Sequence, residues 1–600
     1  MKQISKILSI AALFAMGALT VGCNSLKEEM EVPTTEPVVE KTVTLTSTVG
    51  FEATTKALTA LGKKTFAEGE QIAVIYKQEG GTTAKAVSEA LTDADIREGG
   101  RKADFTVTMT NPAAGGAVRY IYPAAMALDP TSVDPANDKY TIATSNLTNS
   151  QDGSLPTLAA NFDLAVYDGT LTDGATLPAS VTLQNRLAIL ELMVKNASGS
   201  SVNGSVTKLS VYDGANYYLI SRTPADESIY VALWPVSSEQ TIAFCATDGT
   251  KNYRKSVTGK TLDRNNIYPV RLTTTESTGT ALELVTGKYT VQDGETLSGT
   301  LFGTTKIVTA ETKKDGEPIT VTLDGVDISC NSSDPGINCQ GNTNLVLAAG
   351  SVNHVTANNA GYAGIFIKKD MTLTISGSGT LTANGYGNSA EDEGDEGGAG
   401  IGGNTHSTCG NIVITGGTIT ARGGKGSAGI GCGAYDRIIK GYSRCGNITI
   451  TGGNVTATGG QLGAGIGSAY VYYHKGTTGN SSSTSAYNEC GDITITGGTV
   501  TAEGGSKASG IGCGYNSGRN DNFKVGCGDI TITSGVISVT ATKGSDSSPY
   551  SIGKGVTNNG GKQYCGTITI GCTLDDEGDP VGGIEYYDSG ISDSPFTYQP

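Results

Sequence analysis

The sequence predicts an all-β chain, with small β-sandwiches in its N-terminal half followed by a right-handed parallel β-helix. Three observations carry this. One phrase recurs through the C-terminal half: CGNIVITGGTITARGG from Cys409, CGNITITGGNVTATGG from Cys445, CGDITITGGTVTAEGG from Cys490, CGDITITSGVISVTAT from Cys527, and CGTITIGC from Cys565. The N-terminal half consists of short alternating runs punctuated by Gly, Asn, Asp and Pro, such as Thr42 to Val49, Gln71 to Tyr76 and Leu187 to Val194. Glycine supplies 84 residues against 17 prolines, a balance that serves backbone turns and leaves few helix formers. At 600 residues the chain exceeds one ordinary core, so two or more domains are expected.

The chain opens with Lys2 and Lys6, then an apolar stretch, Ile7 to Val21, too short to span a membrane comfortably. This is the pattern of a signal peptide over residues 1–22. It ends in Leu19-Thr20-Val21-Gly22-Cys23, which resembles a bacterial lipobox and implies cleavage and lipidation at Cys23. Residues 23–41 read as a tether, rich in Glu, Thr, Pro and Val without periodicity. Within it Lys27-Glu28-Glu29-Met30-Glu31 resembles the charged tag of surface-exposed Bacteroidetes lipoproteins. The expected location is therefore the cell outer membrane, reached through a lipid anchor. A formal charge of −16 repels phosphate backbones and argues against nucleic acid.

Residues 42–272 carry strands at a spacing that favours one or two antiparallel sandwiches, each with one wet and one buried face. Phe51 to Lys56, then Phe66-Ala67-Glu68-Gly69-Glu70-Gln71-Ile72, resembles the opening of the fimbrillin family of Bacteroidetes. Tyr120-Ile121-Tyr122-Pro123, Leu187-Ala188-Ile189-Leu190, Tyr230 to Pro235 and Asn266 to Val270 follow in that family's order. The resemblance implies transthyretin-like sandwiches, adhesion or pilus-type assembly, and other fimbrillin-like subunits as partners. No His, Cys, Asp or Glu cluster in this half has metal or catalytic spacing. Trp234 reads as a core side chain. Residues 273–281 (TTTESTGTA) lack apolar periodicity and read as an exposed connector.

From residue 282 to 600 the repeats predict stacked coils. Ile412/Ile414, Ile448/Ile450, Ile493/Ile495, Ile530/Ile532 and Ile568/Ile570 alternate with polar residues at period two, so one side of each strand enters a core. Ile319/Val321/Leu323, Leu345/Leu347 and Leu373/Ile375 take the same places upstream, giving eight rungs. A second inward pair follows each Gly-Gly turn, and a third strand carries Gly-Ile-Gly at Gly400–Gly402, Gly429–Gly431, Gly465–Gly467 and Gly510–Gly512. Three strands separated by glycine turns run around a ring and must pair with the next coil. Cys409, Cys445, Cys490, Cys527 and Cys565 hold one rung position, and Cys339, Cys432 and Cys513 another. A spacing of about 4.8 Å between coils allows disulfides, but repeated identity favours stacks of small buried apolar side chains.

Inserts leave the stack after Gly-Ile-Gly, which places them along one ridge. That ridge carries Tyr435, Asp436, Arg437 and Tyr442, then Tyr470, Tyr472, Tyr473 and His474, then Tyr515, Asn516, Arg519, Asp521 and Phe523. Tyrosines beside Asn, Asp and Arg suit a polysaccharide or surface glycan, because sugar rings have apolar faces to stack and hydroxyls to bond. The bland reading is that these tyrosines cap the stack. Another insert holds Glu391, Asp392, Glu393, Asp395 and Glu396, hard oxygen ligands of the kind Ca²⁺ takes, or else a solvated acidic loop. The coils resemble the pectate-lyase-like β-helices, especially a carbohydrate-binding group on bacterial surface proteins, and fold likeness transfers no activity. Asp492 and Asp529 recur at one place, which Asn411, Asn447 and Thr567 fill elsewhere, and read as turn caps rather than a catalytic pair. The expectation is a surface lipoprotein adhesin with a glycan-binding β-helix and no catalysis or required cofactor. The rivals are a β-helix polysaccharide lyase or hydrolase, and a pilus subunit without a glycan ligand.

Overall fold

A computed structural model describes residues 41–51, 65–130, 137–311, 316–387, 397–435, 441–471, 485–518, 520–545, 548–557, 560–587 and 590–600. The signal peptide, Cys23, most of the tether, the acidic insert (Glu391, Asp392, Glu393, Asp395, Glu396), Arg437, Tyr472, Tyr473 and Arg519 lie outside the described residues.

The all-β expectation holds. The first sandwich orders its strands as 83–87, 73–77, 117–122, 165–170, 180–185, 42–51, 102–110 and 96–97. Alternation sends Val49, Phe105, Val107 and Tyr120 inward, where Phe51 stacks on Phe66 at 4.3 Å and Phe66 meets Phe105 edge-on at 5.2 Å. The second sandwich sets a five-stranded sheet, in the order 217–221, 208–212, 236–247, 251–262 and 275–278, against a three-stranded one with 188–195 at its centre. Leu190, Leu192, Val211, Tyr218 and Phe244 share its core. Two short helices, Thr144–Asn149 and Leu155–Asn161, add Leu147 and Leu158 to that core. Trp234 packs against the same core but stays half-buried.

Residues 273–281, expected to be an exposed connector, are mostly exposed and hold the passage from the sandwich sheet to the coil sheet, but they are strand rather than irregular chain. Thr275–Thr278 pairs antiparallel with Lys251–Arg254, and Thr280–Ala281 pairs parallel with Leu297–Ser298. Threonine-rich sequence is a good edge strand, and the sandwich needed one to cover the open edge of 251–262. The junction is pinned by Arg254, whose Nε and Nη2 donate to the two oxygens of Glu283 at 2.9 and 3.1 Å. The same guanidinium donates to the Ser298 carbonyl of the first coil at 3.2 Å.

Beyond it the coils stack in parallel register. Ile412, Ile448, Ile493, Ile530 and Ile568 form one continuous column, and Ile430, Ile466, Ile511 and Ile552 another, all fully buried. Val455, Val500 and Val539, with Ala457, Ala502 and Ala541, line the second strand after the Gly-Gly turn. Narrow Ala beside wide Ile and Val fills a core only one coil thick. Two details depart from expectation. Leu345 pairs with Ile375 and Leu347 with Gly377, two residues out of the predicted alignment; a shift of two keeps every side chain on its face and so is invisible to a period-two reading. Another coil, Glu295–Gly303, precedes the predicted eight, pairing Leu297 with Leu323 and Leu301 with Ile328.

The repeated Gly-Ile-Gly has a steric cause. Gly402, Gly431, Gly467, Gly512 and Gly553 sit at φ between +118° and +137°, a region open essentially to glycine alone. A Cβ on Gly431 would fall 2.0 Å from the Gly467 carbonyl oxygen. At the far end the chain reverses: Ile584–Tyr586, Gly590–Ile591 and Phe596–Tyr598 lie antiparallel on the last strands of the stack. This closing rung is acidic, with Asp575, Asp576, Glu577, Asp579, Glu585 and Asp593 on or beside it, which discourages edge-to-edge pairing.

Candidate functional site

The inserts do gather on one flank. After each Gly-Ile-Gly strand the chain runs outward through Tyr435, Val471, Asn516 and Thr557, which bridge one another in parallel. It returns along Gly441–Cys445, Ala486–Cys490, Phe523–Cys527 and Lys562–Cys565, a four-stranded parallel sheet in strict register. Alternation along the returning strands decides which side chains reach solvent. Ser443, Cys445, Asn488, Cys490, Val525 and Cys527 turn inward and are buried.

Buried polar groups staple this sheet to the stack. Asn488 donates from Nδ2 to the Gly433 carbonyl at 2.8 Å and accepts the Ala469 N–H at 2.8 Å. Asn516 donates to the Phe523 and Lys562 carbonyls at 3.0 and 2.8 Å and accepts the Gly518 N–H at 2.9 Å. Ser443 donates within reach of the Gly433 and Ser407 carbonyls at 2.8 and 3.1 Å. These bonds satisfy backbone groups of the inserts, the Gly433 carbonyl twice over.

Several residues expected on the ridge surface are therefore inside it. Tyr435, Tyr470, Tyr515 and Asn516 keep only 2%, 4%, 7% and 0% of their surface. Tyr470 stacks on Tyr515 with centroids 5.5 Å apart and planes 6° from parallel, and His406 meets Tyr435 edge-on at 5.1 Å. Tyr435, Tyr470 and Tyr515 belong to the outgoing limbs, where the Tyr470 and Tyr515 N–H groups bond the Gly426 and Leu462 carbonyls of neighbouring turns and Lys507 lies over the Tyr515 ring, so they pack rather than present. Tyr442, on a returning strand, is 54% exposed as the ridge reading requires.

The outward side of the returning sheet forms two rows. The first is Tyr442, Tyr487, Lys524 and Lys562; the second is Arg444, Glu489, Gly526 and Tyr564. The Arg444 guanidinium lies 5.0 Å from the centroid of the Tyr442 ring, and the Lys524 ammonium 5.4 Å from that of Tyr487. Arg444 Nε donates to Glu489 Oε2 at 2.7 Å, while the Tyr564 hydroxyl donates to Glu489 Oε1 at 2.6 Å. Gly526 makes room for this span, since a Cβ there would sit 2.2 Å from Tyr564 Cζ. Partial burial, then the bond to Glu489, push the Tyr564 phenol above its ordinary range, so it remains a donor at neutral pH. The face thus offers fixed rings, cations and a shared carboxylate. Across the four inserts, residues 433–445, 469–490, 514–527 and 554–565, the sequence has eight basic residues against three acidic, in a chain of net charge −16.

The recurrent Asn and Asp column is structural. Asn411, Asn447, Asp492 and Asp529 each accept, through Oδ1, the backbone N–H of the residue one coil on, at 2.9, 3.0, 2.9 and 2.7 Å. Among the described residues no group of three or more His, Cys, Asp or Glu is arranged to hold a metal ion.

Three segments of the stack, 412–434, 448–470 and 493–515, match the family described as Beta helix repeat. No curated protein matches the chain. Among solved structures, a fimbrial assembly protein from Parabacteroides distasonis is similar at 15% identity, covering 39% of this chain and 91% of its own, with a TM-score of 0.21. A "putative cell adhesion protein" from Bacteroides uniformis gives 14% identity, 39% and 97% coverage, and a TM-score of 0.24. Another so described, from Bacteroides fragilis, gives 10%, 39% and 96%, and 0.24. The two resemblances read from the sequence, to fimbrial proteins of Bacteroidetes and to β-helix repeats, each have a counterpart among known proteins. At these scores the solved structures carry no argument about activity, and the sandwich topology rests on the pairings given above.

Sequence reasoning missed Tyr487, Glu489, Lys524 and Tyr564. The signal was present: counting back by twos from each buried cysteine puts the residues one and three before it on the opposite side.

Proposed function

We propose that this chain is a lipid-anchored cell-surface binding protein that holds a glycan-binding flank on a rigid β-helix, carried by two sandwich modules. The supporting observation is the returning sheet: Tyr442 and Tyr487 stand in one outward row on adjacent coils, each with a cation over its ring, and buried asparagines fix the backbone beneath them. A preformed platform binds without paying to order itself, and flat amphipathic rings stack on the apolar faces of sugars. Arg444, Lys524 and Lys562 supply donors for hydroxyls and for acidic substituents. The lipobox-like Cys23 agrees with the surface setting, as do the fimbrial and adhesion descriptions of the similar structures.

The test is a glycan array probed with the mature chain, neutral and acidic polysaccharides included. Tyr442→Ala with Tyr487→Ala should weaken binding to the best ligand by about tenfold or more, the equivalent of about 1.4 kcal/mol. Unchanged binding in that variant defeats the assignment of the face. Release of unsaturated or reducing ends from the ligand would replace the binding role with lyase or hydrolase activity.

A further inference from the structure

The cysteine column under the flank ends in a pair that stands apart from the glycan reading. Cys445, Cys490, Cys527 and Cys565 occupy one register position on four successive returning strands. Cys445 and Cys490 rest their thiols on the carbonyls of Gly410 and Gly446, at 3.8 and 3.9 Å. Cys445 also neighbours the thiols of Cys409 and Cys490, and Cys490 that of Cys432. Cys527 makes a closer sulfur approach: its Sγ lies 3.3 Å from Cys565 Sγ and 3.9 Å from Cys513 Sγ. Cys513 is turned toward the Tyr564 carbonyl at 3.3 Å, leaving Cys565 as the nearer partner. In-register strands are about 4.8 Å apart, inside the Cα separations of about 4.4 to 6.8 Å that a disulfide bridges.

We propose that Cys527 and Cys565 are joined by a disulfide in the exported protein, a staple between the last two coils of the flank. The oxidant is a disulfide-bearing oxidoreductase of the extracytoplasmic compartment. One cysteine thiolate attacks the oxidant's disulfide and forms a mixed disulfide. The second thiolate displaces the oxidant's sulfur, so the S–S bond forms here, two electrons pass to the oxidant, and its two sulfurs take up the two protons. Both thiols are buried once the stack is complete, and contacts with Cys513 and Cys565, then burial, hold the Cys527 thiol well above its ordinary pKa. Exchange therefore belongs to the stage of folding before the closing rung 584–598 seals the end. The position has a physical logic: a solenoid frays from its ends, where a coil has only one neighbour. The link closes a loop of 38 residues at the one strand of the last coil, Lys562–Cys565, which is the edge of its four-stranded sheet and is not paired by the closing rung.

The experiment uses the full chain, exported through its own leader, alkylated in denaturant without reductant and cut with trypsin. Cleavage after Lys524, Lys543 and Lys562 puts Cys527 on peptide 525–543 and Cys565, with Cys572, on peptide 563–600. The expected product is these two peptides linked, two hydrogens lighter than their sum. The link should vanish in Cys565→Ser and persist in Cys572→Ser. Recovery of both peptides fully alkylated overturns the proposal, as does linkage of 525–543 to the peptide bearing Cys513. Glycan binding by the same preparation is scored separately, so failure of either reading leaves the other standing.

Discussion

Replacing Gly467 by alanine tests the claim that the Gly-Ile-Gly strand is dictated by close approach between coils. Gly467 sits at φ +133°, and an added Cβ would lie 2.1 Å from the carbonyl oxygen of Gly512. That oxygen already accepts the Ser468 N–H at 2.9 Å, so it cannot swing away without breaking the ladder. Backbone strain contributes about 1–3 kcal/mol and overpacking against main chain about 1–3 more, which sets the expected loss at roughly 2–6 kcal/mol. Gly249→Ala serves as the control: its φ is +94°, but nothing lies within 4 Å of the added carbon, so only the conformational part, about 1–2 kcal/mol, applies. Urea unfolding followed by circular dichroism gives the totals. Hydrogen exchange locates the damage, which should fall on residues 460–515 and the neighbouring coils while the sandwiches keep their protection. If Gly467→Ala costs no more than Gly249→Ala, the steric account of the repeat is wrong.

Three further outcomes are expected. Asn488→Ala takes the partner from the buried Ala469 N–H and leaves the Gly433 carbonyl to Ser443 alone, so the flank should lose about 1–3 kcal/mol and its exchange protection should fall first; retained protection across 486–490 counts against the staple. Arg254→Met leaves the part-buried Glu283 without its cation, a loss of about 3–5 kcal/mol at the junction, which limited proteolysis should reveal as new cleavage near residues 273–285; an unchanged digest refutes the pinning role. Burial raises the phenols of Tyr120, Tyr122 and Tyr218 above the ordinary value of 10.0. Because the folded pKa values are the higher ones, the contribution of these tyrosines to stability is constant below about pH 10 and is lost as the pH rises beyond it. Phenolate absorbance and circular dichroism should therefore change together in alkali, and ionisation of all tyrosines near pH 10 with the fold intact would contradict this.

Repetition made the coils legible. A phrase returning five times with glycine at fixed offsets leaves one arrangement in which every Ile row finds a neighbour, and the columns from Ile412 to Ile568 and from Ile430 to Ile552 follow from it. The opening coils were less legible because Leu345 and Leu347 are followed by Ala348-Ala349 in place of the glycines that mark the phase of the later coils. The strands within the connector were illegible for a related reason: residues 275–281 show no apolar rhythm because they form edge strands that lie across the junction rather than strands packed on both sides.

The sequence by itself determined the stack, its glycine corners, the side on which the inserts emerge and the capping role of Asp492 and Asp529, because each of these repeats and is enforced by neighbours of the same kind. Only the tertiary structure decided which tyrosines face solvent. Tyr470 and Tyr515 are as polar and as near a loop as Tyr442 and Tyr487, but one pair lies on limbs packed against the neighbouring turns and the other on the outward side of the returning strands. Exposure within an insert depends on what packs over it, and that is settled by contacts between coils, not by the residues of any one of them.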